Sequence, residues 1–329
     1  MGDSQLTVCV AGATGFVGRH VVRALLERGH AVRALVRDPS KAGKVLPEHE
    51  RLSIHRGEPA PHDGPDGLRE WAERADAMVN TIGIIREAPG GQTFARVHVG
   101  VTKALLRAAQ DAGVNHFVQV SALGVHDEAD TAYAKSKFEG ETLVRNSGLA
   151  WTILRPSLIH GPDGEFMQMA KGWATGRAAP FVFMPYFARP VEPLKFPVPK
   201  FESAVVAPIS VDDVALAVAR SLERPECRGE VIHLCGPESL TWPELLAFVR
   251  DNVTNGKKEL KTLGLPGPIA AMKARAAKVV GLRDALPFDE GMATNATRDS
   301  VCSMDKAAAF LGLEPAGFRE AAGAYVGSM

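Results

Sequence analysis

The 329 residues are enough for one large or two medium domains, and 46% hydrophobic with 23% charged residues is ordinary globular composition. The 38 basic and 38 acidic side chains cancel, which excludes a nucleic-acid partner held by bulk charge. No run of about 18 apolar residues occurs and the first residues lack a signal-peptide pattern, so a cytoplasmic protein without a membrane span is expected, with peripheral membrane contact left open.

Val8 to Ala11 read as a buried parallel strand, followed by glycines at the spacing G-x-x-G-x-x-G in Gly12-Ala13-Thr14-Gly15-Phe16-Val17-Gly18. Apolar residues at 17, 21, 22, 25 and 26 then have a helical period, and Gly29 closes the helix. Strand, glycine turn and helix are the parts of a dinucleotide-binding βαβ unit. Gly12 permits the turn out of the strand, Gly15 lets a pyrophosphate approach the backbone, and Gly18 lets helix and sheet pack closely. The helix N-terminus offers free N–H groups and partial positive charge to the phosphates.

Residues 31–36 form the second strand, and Arg37 stands at its tip, where NAD sites carry an acidic residue for the ribose hydroxyl. Its guanidinium suits a 2′-phosphate, so NADP(H) is preferred over NAD(H). Asp38 precedes a proline and takes a turn role, and the alternative for Arg37 is a solvated loop charge. A third strand over 51–56, a loop over 58–65 and a helix over 68–74 follow. The fourth strand, 77–83, ends in Asn80-Thr81-Ile82-Gly83, at the carboxyl edge where a cofactor lies in doubly wound sheets. A long helix over 92–112 and a fifth strand over 117–121 come next.

Tyr133 and Lys137 stand four residues apart and share a helix face. An ammonium beside a phenol lowers the phenol's pKa and fits it to exchange a proton with a carbonyl or alcohol. Residues 151–155 form the sixth strand, with Pro156 and Ser157 at its end. From Pro180 to Pro208 the chain is rich in Pro, Phe and Met (Phe181 to Phe187, then Leu194 to Pro197), which rules out a helix and reads as an apolar loop or lid. A strand over 230–236, a capping box at Thr241 and Glu244 opening a helix to 252, and a basic amphipathic helix between 266 and 283 (Lys273, Arg275, Lys278, Arg283) complete the chain. Cys9, Cys227, Cys235 and Cys302 show no paired spacing, so neither a disulfide scaffold nor a zinc site is expected, and no histidine motif calls for a metal.

The chain resembles the extended type of the short-chain dehydrogenase/reductase superfamily. The residues that carry this are 12–18, Val120-Ser121-Ala122-Leu123-Gly124, Tyr133 with Lys137, Leu154-Arg155-Pro156-Ser157, and 209–214. Asn80 to Gly83, Val97-His98-Val99 and Ser136 to Glu141 are similar to the atypical branch that includes the nucleotide-binding accessory subunit of respiratory complex I and related ubiquinone-biosynthesis proteins. The resemblance implies a doubly wound α/β sheet of Rossmann type, residues 1–160 completed by about 209–235. A smaller, mainly helical C-terminal substrate domain would take 161–208 and 236–329.

The resemblance also implies a cofactor site of Gly12, Thr14, Gly15, Phe16, Val17, Gly18, Arg37, Asn80, Thr81, Ile82, Gly83, Ser121, Lys137, Pro156 and Ser157, with Tyr133 and Lys137 as the acid/base pair. In this branch Lys137 also holds the nicotinamide ribose, while Pro156 and Ser157 line the nicotinamide. Active members place a serine or threonine where this chain has Ala122, and an asparagine where it has His98. Three functions follow as expectations. One is an NADP(H) oxidoreductase acting on a carbonyl, alcohol or quinone-type small molecule; a second is a catalytically silent nucleotide-binding subunit or assembly factor in contact with respiratory or quinone machinery. An epimerase or dehydratase of nucleotide-sugars is the third.

Overall fold

The computed structural model describes residues 5–59, 65–191, 200–279 and 288–329. The segments 60–64, Leu194–Pro197 and Arg283, named above, lie outside them, as does the side chain of Lys278. In chain order the first elements are β1 (Thr7–Ala11), α1 (Phe16–Glu27), β2 (Ala31–Val36), α2 (Pro39–Val45), β3 (Leu52–Arg56) and α3 (Pro65–Ala72). Then come β4 (Ala77–Asn80), α4 (Val101–Ala112), β5 (His116–Val120), α5 (Ala132–Arg145) and β6 (Ala150–Pro156). The chain continues through β7 (Ile159–His160), α6 (Glu165–Ala174), β8 (Met184–Pro190), β9 (Phe201–Ser203), β10 (Val205–Val206) and β11 (Ile209–Ser210). It goes on as α7 (Val211–Glu223), β12 (Glu230–Leu234), β13 (Leu240–Thr241), α8 (Trp242–Asn252) and β14 (Thr262–Pro266). It ends as α9 (Gly267–Val279), α10 (Glu290–Asn295), α11 (Asp305–Leu311) and α12 (Phe318–Val326).

Two compact units result. The first takes the described residues up to Pro156, then Val211–Leu234 and Ser303–Glu314. It holds one seven-stranded sheet, ordered β12-β6-β5-β4-β1-β2-β3, with every pair parallel. Parallel strands are covered on both faces, so they read as continuous apolar runs, and Val8, Cys9, Val10 and Ala11 are all fully buried. One face packs Trp71, Leu105, Phe117, Met78 and Ile153 into a single core. Strand order reverses between β1 and β4, which puts the carboxyl ends of these two strands at the topological switch point where ligands bind in open α/β sheets. Helices α1 and α7 are joined at Arg28 and Glu223 (2.5 Å) and at His20 and Asp212 (2.6 Å).

The second unit comprises Ser157–Ser210, Cys235–Cys302 and Pro315–Met329. Its helices α6, α8 and α12 pack around Met167, Leu245, Val249 and Phe318, and the Thr241–Glu244 capping box opens α8 as the sequence expects.

Three expectations need correcting. The segment 180–208 is not only a loop: β8 is the central strand of a three-stranded sheet with β14 and β9. Its prolines are tolerated because β14 pairs with Met184–Ala188 and β9 with Ala188–Pro190, so Pro185 and Pro190 each face a partner strand on one side only. The helix expected over 92–112 is not one regular helix, since Ala95–Gly100 forms a π-helical turn before α4. Cys235 and Cys302 are disulfide-bonded, with Cα atoms 6.1 Å apart, across a sequence separation of 67 that hides the pairing from spacing rules. Cys9 and Cys227 are free and buried.

Candidate active site

At the end of β1, Gly12 takes φ +83°, a conformation that β-carbons disfavour, and a Cβ there would lie 2.6 Å from Thr81 Oγ1. The Gly15 amide donates to the Gly12 carbonyl at 2.8 Å, closing the turn. A Cβ on Gly18 would overlap that same carbonyl, so the first turn of α1 lies tight against the turn before it. Gly15 is the N-cap of α1, makes no side-chain cap bond, and is followed by no acidic residue in the first turn. The amide groups there face outward with their dipole uncompensated, as a pyrophosphate site requires. Thr14 and Val17 are half-buried beside this turn, and the Phe16 ring meets His20 edge-on at 6.0 Å.

The carboxyl end of β4 is tied to that of β1. Thr81 donates through both its amide (3.1 Å) and its hydroxyl (2.9 Å) to the Ala11 carbonyl. Asn80 is fully buried; its amide nitrogen donates to Gln119 at 3.0 Å and its oxygen accepts the Ile82 amide at 3.0 Å. Asn80 and Thr81 therefore shape the turn with their side chains and leave exposed Gly83 as the accessible backbone. At the end of β2, Arg37 is exposed. Asp38 caps α2, accepting from the Ser40 amide (3.0 Å) and hydroxyl (2.7 Å), and the hydroxyl bond is the main cause holding its carboxyl below the usual range.

Helix α5 starts at the cap Thr131 and carries Tyr133 and Lys137. Lys137 is 8% exposed, and among the described residues its ammonium donates one long 3.4 Å bond, to the Val120 carbonyl. Burial pushes it down to about 8, against the opposing pull of Glu141. A Cβ on Gly83 would lie 2.9 Å from Lys137 Nζ, so the turn after β4 and the lysine face each other directly. Tyr133 packs edge-on against Phe94 (5.8 Å) and His98 (5.5 Å), and burial pushes its phenol up to about 12. That corrects the expectation of a phenol lowered by the lysine: desolvation governs it here. Among the described residues, the Tyr133 hydroxyl makes no hydrogen bond.

In the sequence His98 stands out as a departure from the family's asparagine and, within Val97-His98-Val99, as a likeness to the atypical branch. The π-helical turn sets it over α5, where its Nε2 accepts the Ile84 amide at 3.1 Å. Its Nδ1 therefore carries the proton and donates to Ser136 Oγ at 2.8 Å, and Ser136 donates in turn to the Tyr133 carbonyl at 2.8 Å. Burial, reinforced by Lys137, holds the imidazole neutral, with its pKa pushed down to about 2. This chain of bonds links the β4 turn to the tyrosine's own backbone, and nothing in the residue spacing announces it.

Ser121 faces elsewhere. Its hydroxyl donates to the fully buried Glu141 at 2.6 Å. That carboxylate also accepts a bidentate pair from Arg155 (2.8 and 2.6 Å) and a bond from Arg145 at 2.7 Å. What remains for a nucleotide at this position is backbone. Pro156 ends β6 and its carbonyl accepts the Leu123 amide at 2.8 Å. Ser157 belongs to the second unit, where its hydroxyl donates to the Ala207 carbonyl. Among the described residues no group of three His, Cys, Asp or Glu is placed to hold a metal ion.

The glycine turn at a sheet switch point, with a tyrosine and a buried lysine one helical turn apart, defines a nicotinamide-dinucleotide-binding α/β protein. The chain belongs to the NAD(P)H-binding family, and its fold is that of the extended short-chain dehydrogenases/reductases. Residues 12–173 match the family described as NAD(P)H-binding. A ceramide reductase of Caulobacter vibrioides is 30% identical over 271 residues, covering 82% of this chain and 77% of that protein. The mitochondrial NADH dehydrogenase [ubiquinone] 1 alpha subcomplex subunit 9 of Arabidopsis thaliana is 26% identical over 290 residues, 87% of this chain and 66% of that one. Against the rat and mouse counterparts the chain spans 61% of their length. In fold, it matches the NADPH-dependent quinone oxidoreductase of Escherichia coli, solved with NADPH, at a TM-score of 0.68 and 19% identity, covering 95% of this chain and 97% of that one. No described helix is long and apolar enough to cross a membrane.

Proposed function

We propose that the protein is an NADP(H)-dependent oxidoreductase that reduces a carbonyl or quinone-type substrate, or oxidises the corresponding alcohol. The observation that carries this reading is Lys137: a nearly buried ammonium for which the described residues supply one long 3.4 Å carbonyl bond, facing Gly83 at the carboxyl edge of the sheet. A buried cation with so little compensation is costly, and such groups concentrate at functional sites.

A bound nicotinamide supplies or accepts the hydride. In the reductive direction Tyr133, whose phenol burial keeps protonated, gives its proton to the oxygen on which negative charge develops. The Gly12–Gly18 turn holds the pyrophosphate on the α1 amides, and Lys137 meets the nicotinamide ribose. Arg37 takes the 2′-phosphate; Asp38, committed to capping α2, does not compete for the ribose.

A second reading has its own observation. Ala122 has no hydroxyl and that of Ser121 is committed to Glu141, so neither orients a substrate carbonyl. Loss of one such donor costs on the order of 10²–10³ in rate. This supports a catalytically silent nucleotide-binding subunit of respiratory or quinone machinery, in line with the likeness to subunit 9 of the plant enzyme.

The test is mass spectrometry of the nucleotide that co-purifies, followed by single-turnover assays with carbonyl and quinone substrates. Oxidation of bound NADPH in step with substrate consumption supports the first reading. Stoichiometric NADPH with no turnover supports the second.

A further inference from the structure

The second unit carries an apolar tip. Phe181 and Val182 are 55% and 71% exposed. Side chains of this size are normally hidden when the chain allows it. The turn that presents them is tied down: Phe181 donates its amide to Ala178 (3.0 Å), Val182 to Pro180 (2.8 Å), and the Trp173 indole to Ala179 (2.9 Å). Phe181 sits at φ +63°, a left-handed conformation that is unfavourable for a bulky residue and persists only where its surroundings impose it.

Basic residues stand on the segments that border this tip. The Lys257 amide donates to Ala174 at 2.8 Å, and its ammonium lies 2.8 Å from where a Cβ on Gly176 would stand. The Met184 amide, two residues after Val182, donates to Lys261 at 2.9 Å. Leu263, 48% exposed, pairs in register with Pro185. Arg177, Lys257, Lys258 and Lys261 are all exposed; Glu259 stands among them, and Asp251, bonded to Arg250, lies within reach of Lys258.

We propose that the Phe181–Val182 tip and its lysine collar dock on an anionic lipid bilayer, the two apolar side chains entering the headgroup layer and the ammonium groups lying over it. Charge decides the occupant. Lysine is depleted in protein–protein interfaces, whereas near an anionic leaflet each basic group is favourable. An aromatic and a branched aliphatic side chain beside lysines gain from leaving water and from meeting lipid phosphates together. The proposal is independent of the nucleotide chemistry of the first unit.

The experiment is flotation of the whole protein with phosphatidylcholine vesicles, with and without phosphatidylglycerol, at low and high salt. Flotation is expected only with phosphatidylglycerol, and weaker at high salt. Combined Lys257→Glu, Lys258→Glu and Lys261→Glu should lower partitioning by about a hundredfold, and Phe181→Ser with Val182→Ser by about tenfold or more. Both variants should melt with the wild type. Failure of the wild type to float, equal flotation of wild type and both variants, or loss only on Ile269→Ser with Met272→Ser in α9 would overturn the proposal. So would a tip that instead joins two copies of the chain, seen as a dimer in ultracentrifugation that Phe181→Ser dissolves.

Discussion

Gly83 and Lys137 face one another so closely that a single methyl group would intrude: a Cβ on Gly83 stands 2.9 Å from the lysine Nζ. The glycine leaves room for the ammonium at the carboxyl edge of the sheet, where a ribose would meet it. Gly83→Ala should push the end of a flexible side chain aside without disturbing backbone. Its melting temperature should stay near the wild type while NADPH binding weakens by about tenfold, or about 1.4 kcal/mol. Unchanged affinity would mean that Lys137 does not meet the nucleotide.

The same lysine gives stability a pH signature. Its folded pKa is about 8 against an ordinary 10.5, so between these values the unfolded chain holds a proton that the folded chain has released. Stability attributable to Lys137 therefore rises as pH rises from 8 to 10.5, by about 3 kcal/mol in total. Below pH 8 the burial penalty is present in full. Denaturant melts across this range should show the rise in wild type and a flat difference in Lys137→Met. Parallel curves for the two proteins would refute a buried, depressed ammonium.

Cofactor preference turns on Arg37. Arg37→Ala should weaken NADPH by about 1–3 kcal/mol, the range of a charge-assisted hydrogen bond, and leave NADH nearly unchanged. Titration of the two cofactors against both proteins measures this directly. Equal losses would remove the 2′-phosphate assignment.

Tyr133 and Ala122 separate an enzyme from a binder. Tyr133→Phe should keep NADPH affinity and lower turnover by about 10²–10⁴-fold, the usual share of general acid catalysis. Ala122→Ser, which restores a hydroxyl where Ser121 cannot supply one, should raise turnover. Single-turnover rates decide it. A rate untouched by Tyr133→Phe would rule out the tyrosine as acid.

Much of the sheet unit was legible because its signals are local. The buried run at Val8–Ala11, the glycine spacing and the 3.6-residue period of α1 lie within 22 contiguous residues, 6–27. Thr241 and Glu244 announced their capping box in the same way. What stayed hidden depends on distance in sequence. Cys235 meets Cys302 across 67 residues, and β8 pairs with β14 far along the chain. The return of Ser303–Glu314 to the sheet unit follows from packing of α11 on α7, which no window of sequence contains. In the site, the tyrosine–lysine spacing was readable, but the fate of each hydroxyl was not. Ser121 belongs to Glu141 only because α5 brings that carboxylate beneath β5.

The account rests on the α1 glycine turn holding a nicotinamide dinucleotide, and one titration tests that most directly: NADPH against wild type and Gly15→Val. Gly15 is exposed with an extended backbone, and a Cβ there would meet the Gly12 carbonyl at 3.1 Å, a tight contact relieved by a shift of a few tenths of an ångström. The fold should therefore survive valine while its side chain occupies the approach of the pyrophosphate. Saturable binding of one equivalent by wild type, and none by a Gly15→Val protein that melts normally, is the predicted result. Equal binding by both proteins, or no binding by the wild type, would contradict it.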